Sequence, residues 1–306
     1  MGKSNLILSK ENRIFSLAKE SRHLPNVFLA IMYILGIMFF ADLIFFMTPL
    51  SRIGNNLPIQ GLKGEALSFS INFLIIPFGL YIIAFFLWVK LIEKRPVYTM
   101  GLEKGNILKK YLRGFILGII MISFCVLVFT ILGLVTIDRL NPSIKGFNAL
   151  GGVFILLVGW IVQGASEEIM IRGWLLPVIG MKHNVALGIF ISSTLFGGLH
   201  LFNNNIGILP MVNLILFGVF AALYVIWEGS LWGICALHSS WNWVQGNVLG
   251  FEVSGTPPRG GMLMDFQAIP GYDSITGGLF GIEGGLVCSS VLVLGILILI
   301  FMIKRR

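Results

Sequence analysis

The chain is predicted to be an all-α, polytopic transmembrane helical bundle of about eight spans, and three observations carry that prediction. Hydrophobic residues make up 56% of it and charged residues only 12%, where a soluble domain carries about 25% charged residues. Mean hydropathy is +0.90. The apolar residues gather into stretches long enough, or nearly so, to cross a hydrocarbon core that needs about 20 helical residues.

The expected spans, taken in chain order, fall at about 27–50, 67–89, 115–137, 149–173, 185–201, 206–227, 231–249 and 286–303. The first follows a mostly polar segment, 1–26, and is too long for the core of a signal peptide. It is therefore expected to stay as an anchor, with no cleaved leader. The second and third are joined by a basic connection, 90–111, expected as a cytoplasmic loop with a short interfacial helix. At the head of the third, Gly114 and Gly118 form a GxxxG step, assigned to close helix packing. The last two spans are separated by 250–285, rich in Gly and Pro. So long and poorly helical a loop is expected to be either functional or mobile, and to cover part of the site.

No linker or internal repeat divides the chain, so residues 27–306 read as one membrane domain. Basic residues concentrate in cytoplasmic connections. Most of the 22 Lys and Arg fall on one side if the N-terminus is inside, including Lys3 and Arg306, whereas Arg52, Lys63, Arg139, Lys145 and Arg259 fall on the other. Both termini are thus expected to be cytoplasmic. The net charge of +8 suits helix flanks that meet anionic headgroups of the lipid bilayer. A nucleic-acid partner is excluded, because no soluble domain offers a groove. Cys125, Cys235 and Cys288 sit in or beside apolar helices without CxxC spacing and read as small buried hydrophobes.

The chemistry-bearing residues lie inside the apolar spans, where ionisable groups are costly and mark function. Positions four apart share a helix face. Glu168 should therefore pair with Arg172 and stay ionised, while Glu167 points elsewhere, desolvated beside a like charge and suited to act as a general base. The competing reading sets this cluster at a cytoplasmic helix end, in water and headgroups. His200 follows Phe196 by one turn. His238 shares a face with Asn242, a proton-transfer group beside a neutral donor suited to a developing oxyanion.

The ordered set Glu167-Glu168-x-x-x-Arg172, Phe196-x-x-x-His200 and His238-x-x-x-Asn242 resembles the motifs of the CPBP family. That family comprises the type II CAAX prenyl endopeptidases and their bacterial Abi relatives, which are intramembrane proteases. The resemblance covers about 101–250, and Thr276-Gly277-Gly278-Leu279-Phe280-Gly281-Ile282-Glu283-Gly284 is similar to a tail of many bacterial members. It implies an endopeptidase acting on a hydrophobic or membrane-anchored peptide, CAAX-type in some members. In it, Glu167 and His200 would activate a water, His238 and Asn242 would stabilise the oxyanion, and Glu168 and Arg172 would support them.

Glu167, His200 and His238 could instead ligate zinc with an open position. The HExxH arrangement is absent, however, and a metal-free glutamate mechanism needs no further residues, so none is required. A proton-coupled transporter would use the same groups as a relay, but repeated halves with matched broken helices are not evident. A non-enzymatic immunity or scaffold protein is the other alternative. One difficulty is geometric: a fourth span ending at 173 puts Glu167 near one membrane face and His200 near the other, about 20 Å apart at 1.5 Å per residue. The groups meet if that span is long or kinked, or if 173–184 dips into the bilayer, for which Pro177 and Gly180 allow a break.

Overall fold

The computed structural model describes residues 7–138 and 142–305; Lys3, Arg139 and Arg306 of the charge pattern lie outside them. Lipid offers no hydrogen bonds, so apolar runs satisfy their backbone internally and form helices. A short helix α1 (Arg13–Ala18) precedes α2 (Val27–Met47), α3 (Gly61–Leu91), α4 (Ile107–Ile131) and α5 (Gly146–Lys182). Next come α6 (Val185–Gly198), α7 (Ile208–Glu228), α8 (Trp232–Trp243) and α9 (Leu286–Lys304).

The chain is an integral membrane protein, but the expected eight spans are corrected to six. Among the described residues α2, α3, α4, α5, α7 and α9 are long and apolar enough to cross. Helix α6 has 14 residues, and α8 has 12 followed by a π stretch of 5, about 21 and 25 Å of rise against a core of roughly 30 Å. The polar side chains His238, Ser239, Ser240 and Asn242 of α8 are tolerated because protein, not lipid, surrounds them: all four are buried.

Two expected boundaries also move. Helix α4 stops at Ile131, and Val135–Ile137 leaves it as a short strand, β1, paired antiparallel with β2 (Phe266–Ala268) from the Gly-rich loop. The basic connection before α4 holds a single 3-10 turn, Val97–Met100, where an interfacial helix is expected. The cysteines are free and buried.

Helix α8 packs against α4 and α5, α7 lies between α6 and α9, and α3 bridges α2 and α5. The GxxxG step serves packing as expected. A Cβ on Gly114 would stand 1.8 Å from the Gly233 carbonyl oxygen, and one on Gly118 2.4 Å from that of Leu237. Helix α2 instead exposes Phe28, Phe39, Phe40 and Phe46, the face it turns to lipid.

Three π-helical stretches interrupt the bundle: Ser70–Ile75 within α3, Ile169–Leu175 within α5, and Val244–Val248 continuing α8. The first two are followed by Pro77 and Pro177 at the start of the next α-helical segment. Proline has no N–H and its ring crowds the carbonyl four residues back, so the ladder adopts a wider turn there.

Candidate active site

The site begins on α5. Glu168 and Arg172 are both fully buried, and Arg172 Nη1 donates to Glu168 Oε1 at 3.0 Å, the pairing that the four-residue spacing predicts. The Arg172 guanidinium also lies 4.4 Å over the Phe196 ring, an attraction strengthened away from water. Phe196 is thereby the link between the first two motifs: its ring centroid stands 5.0 Å from that of His200 and 6.0 Å from that of His238.

Both carboxylates reach His238, at opposite edges of its ring. Its Nδ1 is 2.8 Å from Glu168 Oε1, and its Nε2 is 3.7 Å from Glu167 Oε2. An ionised carboxylate only accepts, so Nδ1 carries a proton directed at Glu168. At His200, Nδ1 lies 2.8 Å from the Phe196 carbonyl oxygen. A carbonyl also only accepts, which places the proton on Nδ1 and leaves Nε2 bare in the neutral ring.

Glu167 is held from its own helix. Gln163, one turn earlier, donates through Nε2 to Glu167 Oε1 at 2.6 Å, and Asn242 Nδ2 donates to Gln163 Oε1 at 2.9 Å. The carboxylate fixes the direction of this chain: Gln163 must turn its amino group toward Glu167 and its oxygen toward Asn242. The second oxygen, Glu167 Oε2, is buried with no hydrogen-bond partner among the described residues. Such a group is rare in a folded interior and calls for an explanation.

Glu167, His200, His238 and Asn242 line one cavity of about 360 Å³, together with Gln163 and Glu283. The geometric difficulty between the fourth and fifth spans disappears because α5 does not end near 173. It continues through the π stretch to Lys182, so Glu167 lies in the interior of a long helix, and residues 169–180 are buried. A cytoplasmic helix-end cluster in water is therefore not what the fold builds.

The Gly-rich loop reaches the same cavity. Gly277 and Gly281 adopt φ of 96° and 100°, the left-handed region that suits glycine. A Cβ on Gly281 would meet the Glu252 carbonyl oxygen at 2.0 Å. These turns bring Glu283 to the cavity, where its carboxylate accepts from the Ser254 backbone N–H and, at 2.6 Å, from Ser254 Oγ. Sequence reasoning missed the roles of Gln163, Glu283 and Phe217. Gln163 could have been found from its place one turn before Glu167, and Glu283 from the Gly-rich tail; nothing in the sequence singles out Phe217, whose ring stands 5.0 Å from that of His238.

Among the described residues no three His, Cys, Asp or Glu side chains are grouped to hold a metal ion. What the arrangement offers is a carboxylate oxygen, an unprotonated imidazole nitrogen and an amide, collected in a largely apolar enclosure.

Residues 149–244 match a family model described as type II CAAX prenyl endopeptidase Rce1-like. The resemblance read from the three motifs is thus found, over a shorter stretch than the expected 101–250. No curated protein and no solved structure matches the chain.

Proposed function

From a chain whose residues 149–244 match an Rce1-like family model, we infer an intramembrane endopeptidase that hydrolyses a peptide bond of a membrane-associated or hydrophobic substrate, CAAX-type substrates included. The observation that supports this most is that Glu167 from α5, His200 from the turn that follows α6, and His238 and Asn242 from α8 border one cavity.

In the proposed reaction Glu167 takes a proton from water through Oε2, the oxygen that Gln163 does not hold. His200 orients that water through Nε2. The water oxygen adds to the peptide carbonyl carbon, and the oxyanion is received by His238 Nε2–H and the second amide hydrogen of Asn242. His238 must then be protonated at both nitrogens, which the carboxylates at its two edges favour. The carbon–nitrogen bond breaks, and the proton held by Glu167 passes to the departing amine, which restores the carboxylate. The scheme requires no metal. Glu168 and Arg172 fix the His238 ring and the helix face.

Both termini are proposed to be cytoplasmic, because an even number of crossings returns the chain to its starting side and the basic flanks favour the inner leaflet. The partners are the bilayer and a hydrophobic or lipid-anchored peptide. The test is a comparison of C-terminal peptides in membranes from cells carrying the native protein and Glu167→Gln. A precursor that accumulates only with the variant names the substrate; identical profiles reject the reading.

A further inference from the structure

Helix α2 carries one charged residue in its whole length, Asp42. Its Oδ1 accepts the Tyr81 hydroxyl of α3 at 2.6 Å. Tyr81 in turn lines the same cavity as Glu167. An acid kept at membrane depth on an otherwise lipid-facing helix is costly and marks a functional position.

The surroundings say what it could do. The other residues that α2 and α3 give to the cavity are Met38, Phe69, Phe73, Leu74 and Phe78, none with a hydrogen-bonding side chain. Among the described residues Tyr81 is thus the polar group of that wall. With its hydrogen committed to Asp42, the hydroxyl oxygen offers the cavity a fixed acceptor. A peptide that enters such an apolar space must find partners for its backbone N–H groups, since each left unpaired costs several kcal/mol.

We propose that Tyr81, held by Asp42, is a substrate-positioning residue that accepts a backbone N–H of the bound peptide next to the scissile bond. The inference rests on the endopeptidase reading and deepens it: α2 and α3, outside the matched segment 149–244, would set how an extended peptide lies across Glu167.

The probes are a quenched fluorogenic peptide with an S-farnesyl cysteine and three following residues, and variants N-methylated at one amide each. With native protein in nanodiscs, one N-methyl variant should be cleaved about tenfold less well, the loss expected for a desolvated hydrogen bond. Tyr81→Phe should lose about tenfold in kcat/KM on the parent peptide and nothing further on that same variant. Asp42→Leu should match Tyr81→Phe, while Asp42→Asn, which still offers an acceptor, stays within about twofold of native. Replacing Asp42 by Leu removes a charge from lipid, so its melting temperature should not fall, and this separates positioning from loss of fold.

Equal losses by Tyr81→Phe on every peptide, or no loss at all, would overturn the proposal. Failure of native protein to cleave any peptide counts against the endopeptidase reading. In that case binding, followed by tryptophan quenching, decides the inference. The same pattern among dissociation constants supports it, and uniform binding or none rejects it.

Discussion

Within the site, the proposed general base depends on the residue that orients it. Gln163 holds Glu167 Oε1 at 2.6 Å, which leaves the other oxygen to face the cavity. Gln163→Met keeps the volume and removes the donor, so kcat should fall about ten- to a hundredfold while KM stays within about twofold, as steady-state kinetics on a cleaved peptide will measure. The buried pair of Glu168 and Arg172 has a different task. Both members are fully buried, so Arg172→Ala leaves the Glu168 carboxylate with the His238 ring but without its guanidinium and should destabilise the protein by about 3–5 kcal/mol. Denaturation in detergent checks this, with Glu167→Gln as the variant expected to melt like native. The Glu168–Arg172 contact was legible in the sequence because both partners lie on one helix, where spacing alone sets the geometry. The meeting of His238 with both carboxylates was not, since contacts between helices depend on packing that no single segment encodes.

At the scale of elements, the close approach of α4 and α8 sets where His238 can stand. Gly114→Val would drive a side chain into the Gly233 carbonyl, 1.8 Å from even a Cβ, and should cost at least about 1–3 kcal/mol. Gly36→Val on α2, where nothing lies within 4 Å, should leave the melting temperature unchanged. The GxxxG spacing announced the first contact in the sequence. The length of α5 was harder to read, because Gly173 and Pro177 resemble a helix end. In the fold they coincide with a π turn instead, for the wider ladder accommodates the proline without ending the helix. That one difference moves Glu167 from a membrane boundary into the protein interior. Helix α8 was overcounted as a span for the opposite reason: apolar residues flank its polar middle, and burial by neighbouring helices, not lipid, accounts for them.

Taken whole, the molecule is a membrane bundle whose outer helices meet lipid and whose inner ones, α5, α7 and α8, enclose polar chemistry. The helical class was legible from composition alone; the arrangement of short α6 and α8 within a shell of longer helices was not. Because the native cysteines are buried, single cysteines at Ser9 and Lys304 can report topology. Both should react with an impermeant maleimide from the same, cytoplasmic side, and labelling from opposite sides would reject the proposed orientation. The central claim is that side chains from α5, α8 and the turn after α6 act as one hydrolytic unit, and groups that act as a unit are not additive when removed. The direct measurement is the residual rate of precursor cleavage by purified Glu167→Gln, His200→Ala, His238→Ala and the triple variant. The account predicts that each single change lowers the rate about as far as the triple. Losses that multiply from one variant to the next, or cleavage that persists in Glu167→Gln, would contradict it.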